Sequence, residues 1–170
     1  QLCLNMYRQF CKLDDLLTGA KILEISSGRG GGISYLANKF PKYNLIGLDN
    51  YQPFIDFCNQ KYKIENLTFI LKSHQEMDDC IPLNSIDYLI NIEASHNFED
   101  YDSFFYKVSQ VLKPNGTFIY IDFFIESDLI QIRKTLLKYF KIIEEHLISQ
   151  QVYQSRAIWK KQNPFDNYFI

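Results

Sequence analysis

The chain has 170 residues, of which 46% are hydrophobic and 22% charged, with a formal net charge of −2 and an isoelectric point near 5.9. That length and apolar content suit one globular domain with a substantial core, and the charge balance offers no basic face for nucleic acid as a direct partner. No apolar run reaches the ~18 residues of a membrane span and no basic leader precedes an apolar segment. The four cysteines show neither C-x-x-C spacing nor a paired histidine motif, so they read as reduced thiols in a cytoplasmic setting and no metal site is expected.

In chain order, a first helix is expected over 2–17, then a strand over 21–26 in which Ile22, Leu23 and Ile25 form an apolar run suited to burial on both faces. A glycine-rich turn through Gly28, Gly30, Gly31 and Gly32 opens a helix. Its Ile33, Leu36, Ala37 and Phe40 fall at helical spacing, and it ends before Pro41. A strand over 44–48 leads to a helix from Pro53 to about Tyr62, proline being suited to a helix start. Strands follow over 67–71 and 86–92. A helix over 101–112 stops before Pro114-Asn115-Gly116, a turn signal that feeds a strand over 117–124. A helix over 127–139, a strand over 140–148 and a polar helical segment over 151–161 complete the pattern. Strands alternating with amphipathic helices predict a mostly parallel sheet covered on both faces. There is no internal repeat or low-complexity linker.

The strand, turn and helix over 21–40 point to a small-molecule cofactor, because the first amide groups of a helix offer free donors across the turn. The dinucleotide fingerprint G-x-G-x-x-G is incomplete: from Gly28 and Gly30 the third position is Ile33, and from Gly30 and Gly32 it is Tyr35. S-adenosylmethionine has no phosphate and carries a cationic sulfonium beside an amino-acid head, so the anionic Glu24 at the mouth suits it better than a pyrophosphate. A lone Glu in an apolar strand is costly to bury without a partner.

At these residues the chain resembles the class I S-adenosylmethionine-dependent methyltransferases. Their first motif is matched by Glu24-Ile-Ser-Ser-Gly-Arg-Gly30, and their second by Leu45-Ile-Gly-Leu-Asp49. Asp49 lies twenty-one residues beyond Gly28, close to the ~20-residue offset of a ribose-binding carboxylate. Ser85 to His96 looks like the fourth strand and its substrate-facing end, and Val111 to Asp122 like the "LKPGG" turn and fifth strand. Ser-Ser-Gly-Arg-Gly-Gly-Gly, Phe57-Cys58, Glu93-Ala-Ser-His-Asn97 and Tyr120-Ile-Asp-Phe123 look more narrowly like the phthiotriolone-type methyltransferases of lipid and polyketide tailoring.

The resemblance implies a Rossmann-like, doubly wound, three-layer α/β/α fold in a single domain over 1–170. An N-terminal helix would occupy 1–19, the cofactor-binding core 20–125 and a C-terminal part 126–170. The antiparallel strand that ordinarily closes such a sheet has no convincing counterpart after Ser149, which implies a chain cut short. The implied cofactor set is Glu24, Ser26, Ser27, Gly28 and Gly30 from the first motif, Asp49 and Asn50 from the second, Ser73 and His74 after the third strand, and Asn91 in the fourth. Two positions depart from the family pattern. Ser26 replaces the first motif glycine, and Ser73 stands where an acidic residue often holds the adenine amino group. If each departure costs one ordinary hydrogen bond, the penalty is ~0.5–1.5 kcal/mol.

Ligands of open α/β sheets lie outside the carboxyl ends of the strands, which places Glu93, His96, Tyr120 and Asp122 on the acceptor side. His96 and Glu93 are the expected catalytic residues, with His96 the first choice for a general base because its ordinary pKa lies near neutrality. Blander readings stand beside these: His96 as a structural or exposed histidine, Asp122 as a strand-end cap, His146 as structural, Arg29 as an exposed turn residue. The expected activity is methylation of a hydroxyl on a small-molecule or lipid-like acceptor. The alternatives are a non-catalytic binding or assembly module with a degenerate cofactor site and, more weakly, a nucleotide-dependent oxidoreductase.

Overall fold

A computed structural model of the chain describes residues 2–154. Helix α1 (Leu2–Phe10) precedes β1 (Lys21–Ile25), α2 (Gly31–Lys39), β2 (Asn44–Asp49), α3 (Gln52–Lys61) and β3 (Leu67–Leu71). A 3-10 turn (His74–Asp79) then leads to β4 (Ile86–Ile92), a second 3-10 turn (Ser95–Asn97), α4 (Tyr101–Val111), β5 (Leu112–Ile121) and α5 (Glu126–Leu136).

The strands form one sheet in the order β3-β2-β1-β4-β5, and every neighbouring pair is parallel. The chain runs outward from β1 to β3, then crosses over to β4 on the other side of β1. That reversal of direction is the topological switch of a Rossmann-like sheet, and it opens a crevice at the carboxyl ends of β1 and β4.

The apolar run of β1 is explained by its central place. Ile22 belongs to a core with Tyr7, Ile33, Leu36, Leu45, Phe69 and Tyr88, whereas Leu23 and Ile25 belong to a second core with Leu48, Met77, Leu89, Phe104 and Phe105. Helices α1, α2 and α3 cover the first face, and α4, α5 and the first 3-10 turn cover the second. Each fully buried aliphatic or aromatic side chain contributes ~1.5–3 kcal/mol of transfer free energy. Among the described residues no helix is long and apolar enough to cross a membrane.

The structure corrects three expected elements. The first helix stops at Phe10 rather than 17, because the Tyr43 hydroxyl donates to the carbonyls of Leu13 and Leu16 at 2.5 and 3.0 Å and folds that stretch into turns. The 114–116 turn is absorbed into β5: Ile86 pairs with Leu112 but Tyr88 with Thr117, so extra residues bulge out where Asn115 takes φ 66°. The strand expected over 140–148 is absent. Glu145 is drawn to Arg133 of α5 and Glu144 to Lys12, which holds the segment in irregular conformation with Ile143 and Leu147 exposed. Of the helical segment expected over 151–161, residues 151–154 are helical and the rest lies outside the described residues.

Candidate functional site

The turn after β1 takes a left-handed backbone at every second residue: Ser26 at φ 57°, Gly28 at 55° and Gly30 at 68°. Ser26 therefore carries a conformation that costs a side-chain-bearing residue ~1–2 kcal/mol, which is the physical content of its departure from glycine. Gly30 has a second reason to lack a side chain, since a Cβ there would approach the Phe69 ring at 2.7 Å and the Cys58 sulfur at 2.8 Å. A Cβ on Gly28 would meet nothing within 4 Å, so the turn is open on that side.

Asp49, at the end of β2, holds this turn in place. Its Oδ2 accepts from the Gly28 N–H at 2.8 Å and its Oδ1 from the Tyr51 N–H at 3.0 Å. Each carboxylate oxygen has lone-pair capacity for a further donor. Asn50, the next residue, is exposed.

Glu24 is 3% exposed and accepts a hydrogen bond from the Tyr7 hydroxyl of α1. Burial pushes its carboxyl up to about 8, the nearby Asp49 charge adds to the rise, and the Tyr7 hydroxyl and Ile33 N–H pull against it. Sequence reasoning missed Tyr7, which lies seventeen residues upstream and shows no signal beyond its place on the first helix. Among the described residues three buried side-chain atoms have no hydrogen-bond partner: Glu24 Oε2, Ser27 Oγ and Asn91 Oδ1. Asn91 sits on β4 beside β1, donating through Nδ2 to the Ile25 carbonyl at 3.2 Å. All three atoms belong to the carboxyl ends of β1 and β4 and the turn between β1 and α2. A buried polar group left unsatisfied costs ~1–3 kcal/mol, so their place at these strand ends and in the turn fits a polar ligand with several donors.

A second cluster lies at the carboxyl ends of β4 and β5. Glu93 has φ 51° and donates its N–H to the Ile121 carbonyl at 2.7 Å, bending the chain into the 3-10 turn that carries Ser95 and His96. His96 Nδ1 lies 2.7 Å from Asp122 Oδ1. The other Asp122 oxygen accepts from the Ser95 hydroxyl at 2.6 Å and the His96 N–H at 3.1 Å, and Ser95 Oγ is 2.6 Å from the Tyr120 hydroxyl. The Asp122 side chain is inaccessible to solvent, whereas 23% of the His96 side chain is exposed. In the tautomer that donates from Nδ1 to this carboxylate, Nε2 is the acceptor nitrogen. Asp122 also accepts from the Phe123 N–H at 2.9 Å, so it is both the expected strand-end cap and the partner of His96. The Phe123 ring lies over the imidazole at 4.1 Å between centroids, and 58% of Phe123 is exposed.

The remaining candidates stand apart from these clusters. Ser73 caps the first 3-10 turn, accepting from the Gln75 N–H at 3.2 Å while Glu76 reaches back to the Ser73 N–H. The His74 ring stacks on Phe98 at 3.8 Å and meets Phe104 edge-on, and burial with the nearby Lys107 charge lowers its pKa. Arg29 lies over the Phe57 ring at 4.2 Å. His146 is bonded to Glu144 at 2.7 Å on the surface. Among the described residues Cys11, Cys58 and Cys80 are free thiols.

A family model described as a methyltransferase domain matches residues 16–164. Over 104 residues the chain is 36% identical to a fatty-acid O-methyltransferase of Mycolicibacterium smegmatis, covering 61% of this chain and 37% of that one. It is 34% identical over 121 residues to a phthiotriol/phenolphthiotriol dimycocerosates methyltransferase of Mycobacterium tuberculosis, covering 70% and 43%. The chain thus spans about two fifths of the length of these relatives. Among solved structures, phosphoethanolamine N-methyltransferase 2 of Haemonchus contortus in complex with S-adenosyl-L-methionine superposes with a TM-score of 0.79 at 21% identity, over 95% of this chain and 43% of that one. The geranyl diphosphate C-methyltransferase of Streptomyces coelicolor gives 0.60 at 16% identity, over 69% and 44%.

Proposed function

Because the chain belongs to the methyltransferase domain family, we propose that it binds S-adenosylmethionine in the crevice between β1 and β4 and directs methyl transfer to a hydroxyl of a lipid-like acceptor. The observation that carries the cofactor half is that three buried side-chain atoms without a partner among the described residues, Glu24 Oε2, Ser27 Oγ and Asn91 Oδ1, all belong to the carboxyl ends of the adjacent strands β1 and β4 and the turn that follows β1. In this reading Glu24 holds the ammonium of the amino-acid head, Ser27 and Asn91 complete its polar contacts, and Ser26, Gly28 and Gly30 shape the turn that lets it approach. Asp49 and Asn50 serve the ribose, and Ser73 and His74 border the adenine. The lipid-like acceptor is supported by the relatives named for fatty-acid and phthiotriol substrates.

S-adenosylmethionine supplies a methyl group activated by a sulfonium. The chain contributes alignment of the acceptor oxygen with that methyl for in-line transfer and removal of the hydroxyl proton. His96 takes that proton at Nε2, a general-base contribution worth ~10²–10⁴-fold in rate. Asp122 is the positioning residue that fixes the imidazole tautomer and steadies the imidazolium. Glu93, at the bend that launches the Ser95–His96 turn, is the second acceptor-side residue. Phe123, exposed beside His96, offers an apolar approach for an acyl chain.

Calorimetric titration with S-adenosylmethionine, S-adenosylhomocysteine and NADH tests the cofactor half, with Asp49→Ala as the site check. Micromolar binding of both sulfur ligands but not NADH, lost in Asp49→Ala, is expected. Failure of both sulfur ligands to bind a folded chain would move the reading to a non-catalytic scaffold. Transfer of labelled methyl to hydroxylated acyl lipids, compared in wild type and Asp122→Asn, tests the acceptor half. The variant is expected to keep its cofactor affinity and lose its rate.

A further inference from the structure

Helix α1 reaches into the cofactor crevice through one side chain. Tyr7 is 6% exposed, and its hydroxyl donates to Glu24. Its ring lies so close to the backbone of Gly32 that any Cβ at position 32 would collide with it. The ring is therefore docked where α2 begins, and the hydroxyl engages one carboxyl oxygen, Oε1, while Oε2 stays buried and unpartnered. Among the described residues no cation pairs with Glu24.

The charged and titratable groups around this carboxyl come from every element that packs there. Tyr7 faces it from α1, Cys11 from just beyond that helix, Asp49 from the end of β2 and Cys58 from α3. Lys39 of α2 acts on Cys11, and Arg29 of the glycine turn acts on Cys58. The Cys58 thiol is pushed up to about 11 and the Cys11 thiol to about 12, chiefly by burial. Neither therefore carries charge near neutrality, and the Tyr7 hydroxyl serves as a donor. Asp49 is the near anion, and it works against ionisation of Glu24.

We infer that Glu24 is held as a neutral acid in the cofactor-free protein, with Tyr7 as its positioning residue, and that seating an ammonium against Oε2 expels its proton to solvent. The inference rests on the cofactor reading above and adds that cofactor binding is proton-linked. The balance is simple: the carboxyl O–H bond breaks, the proton passes to buffer, and the carboxylate keeps the electron pair and faces the ammonium. Burial that pushes the carboxyl up to about 8 sets the pH window, with release nearly complete at pH 7 and vanishing by pH 9. Tyr7 tunes that window, since its hydroxyl favours the ionised form.

The test is calorimetry of the full chain with S-adenosylhomocysteine in phosphate, HEPES and Tris at the same pH. The dependence of observed heat on buffer ionisation heat counts protons released. At pH 7 close to one proton per cofactor is expected, falling toward none at pH 9. 5′-Methylthioadenosine, which lacks the amino-acid head, should release none at either pH. Tyr7→Phe keeps the ring and removes the donor; its release should persist to higher pH, with affinity at pH 7 weakened ~3–10-fold by the loss of one hydrogen bond. Binding of S-adenosylhomocysteine with no buffer dependence at pH 7 would overturn the inference and leave the cofactor reading standing, whereas absence of any binding would overturn both. The wild-type buffer series decides the matter even where a variant fails to fold.

Discussion

The two ends of the crevice are built on opposite principles. Around β1, the glycine turn and the neighbouring Asn91 of β4, the side chains of Glu24, Ser27 and Asn91 each keep a buried polar atom without a partner, so the free protein carries electrostatic cost there. Around β4 and β5, the Asp122 carboxylate is closed by the Ser95 hydroxyl, the His96 ring and the backbone amides of His96 and Phe123. One region keeps polar atoms in reserve, as the proposed cofactor site requires; the other is already organised around the Asp122 carboxylate. A site that must bind a polar molecule reversibly keeps hydrogen-bonding capacity in reserve, while a site that must aim a base spends that capacity on fixing it.

The sharpest way to break this contrast is to remove the proposed base. His96→Gln is expected to lower the methyl-transfer rate ~10²–10⁴-fold with cofactor affinity unchanged, read by labelled-methyl turnover beside calorimetry. A rate loss accompanied by an equal loss of cofactor affinity would join the two regions into one unit.

The next largest effect concerns Glu24 and the stability of the cofactor-free protein. The carboxyl is raised from 4.5 to about 8, so the unfolded chain releases its proton first. Stability linked to this group is complete below pH ~4.5 and is lost as pH rises to about 8. With ~1.4 kcal/mol per pKa unit, the loss is on the order of a few kcal/mol. Urea unfolding at pH 5 and pH 8 should show it in wild type, and Glu24→Gln should abolish the difference while weakening the cofactor. An identical pH dependence in wild type and variant would mean that Glu24 is ionised at no cost.

Smaller effects come from the backbone of the turn. Gly30→Ala combines a left-handed φ with collision against Phe69 and Cys58, and is expected to cost ~1–3 kcal/mol in thermal or urea unfolding. Ser26→Gly relieves strain at φ 57° and is expected to stabilise by ~0.5–1 kcal/mol. Destabilisation by Ser26→Gly would show that the serine side chain compensates its own strain.

What was legible in the sequence was local. The apolar run Ile22–Ile25, the glycine turn and Asp49 lie on consecutive elements, and the strand–turn–helix grammar places them without knowledge of the rest. The parallel order followed from alternation of strand and helix. The pairings that connect distant segments were not legible: Tyr7 reaches Glu24 from another helix, and Asp122 reaches His96 across twenty-six residues. The misread strand over 140–148 shows the converse. Its pattern suits a strand, but Glu144 and Glu145 are anchored to Lys12 and Arg133, tertiary ion pairs that period-two spacing cannot reveal. The contacts of Ser73, which caps a turn, and His74, which stacks on Phe98, were likewise not legible from their place in the chain.

The position of β5 in the strand order has a practical bearing on every solution experiment above. It is the last strand of the described sheet, so among the described residues one row of its peptide groups has no ladder partner. Such a row is a template on which another extended chain can assemble. Lys113 and Pro114 guard its first residues, but the stretch from Thr117 to Ile121 has neither a charge nor a proline. Self-association through that margin would be concentration-dependent and indifferent to cofactor, so light scattering across a dilution series belongs beside each titration, and a lysine placed at Thr117 is the natural remedy.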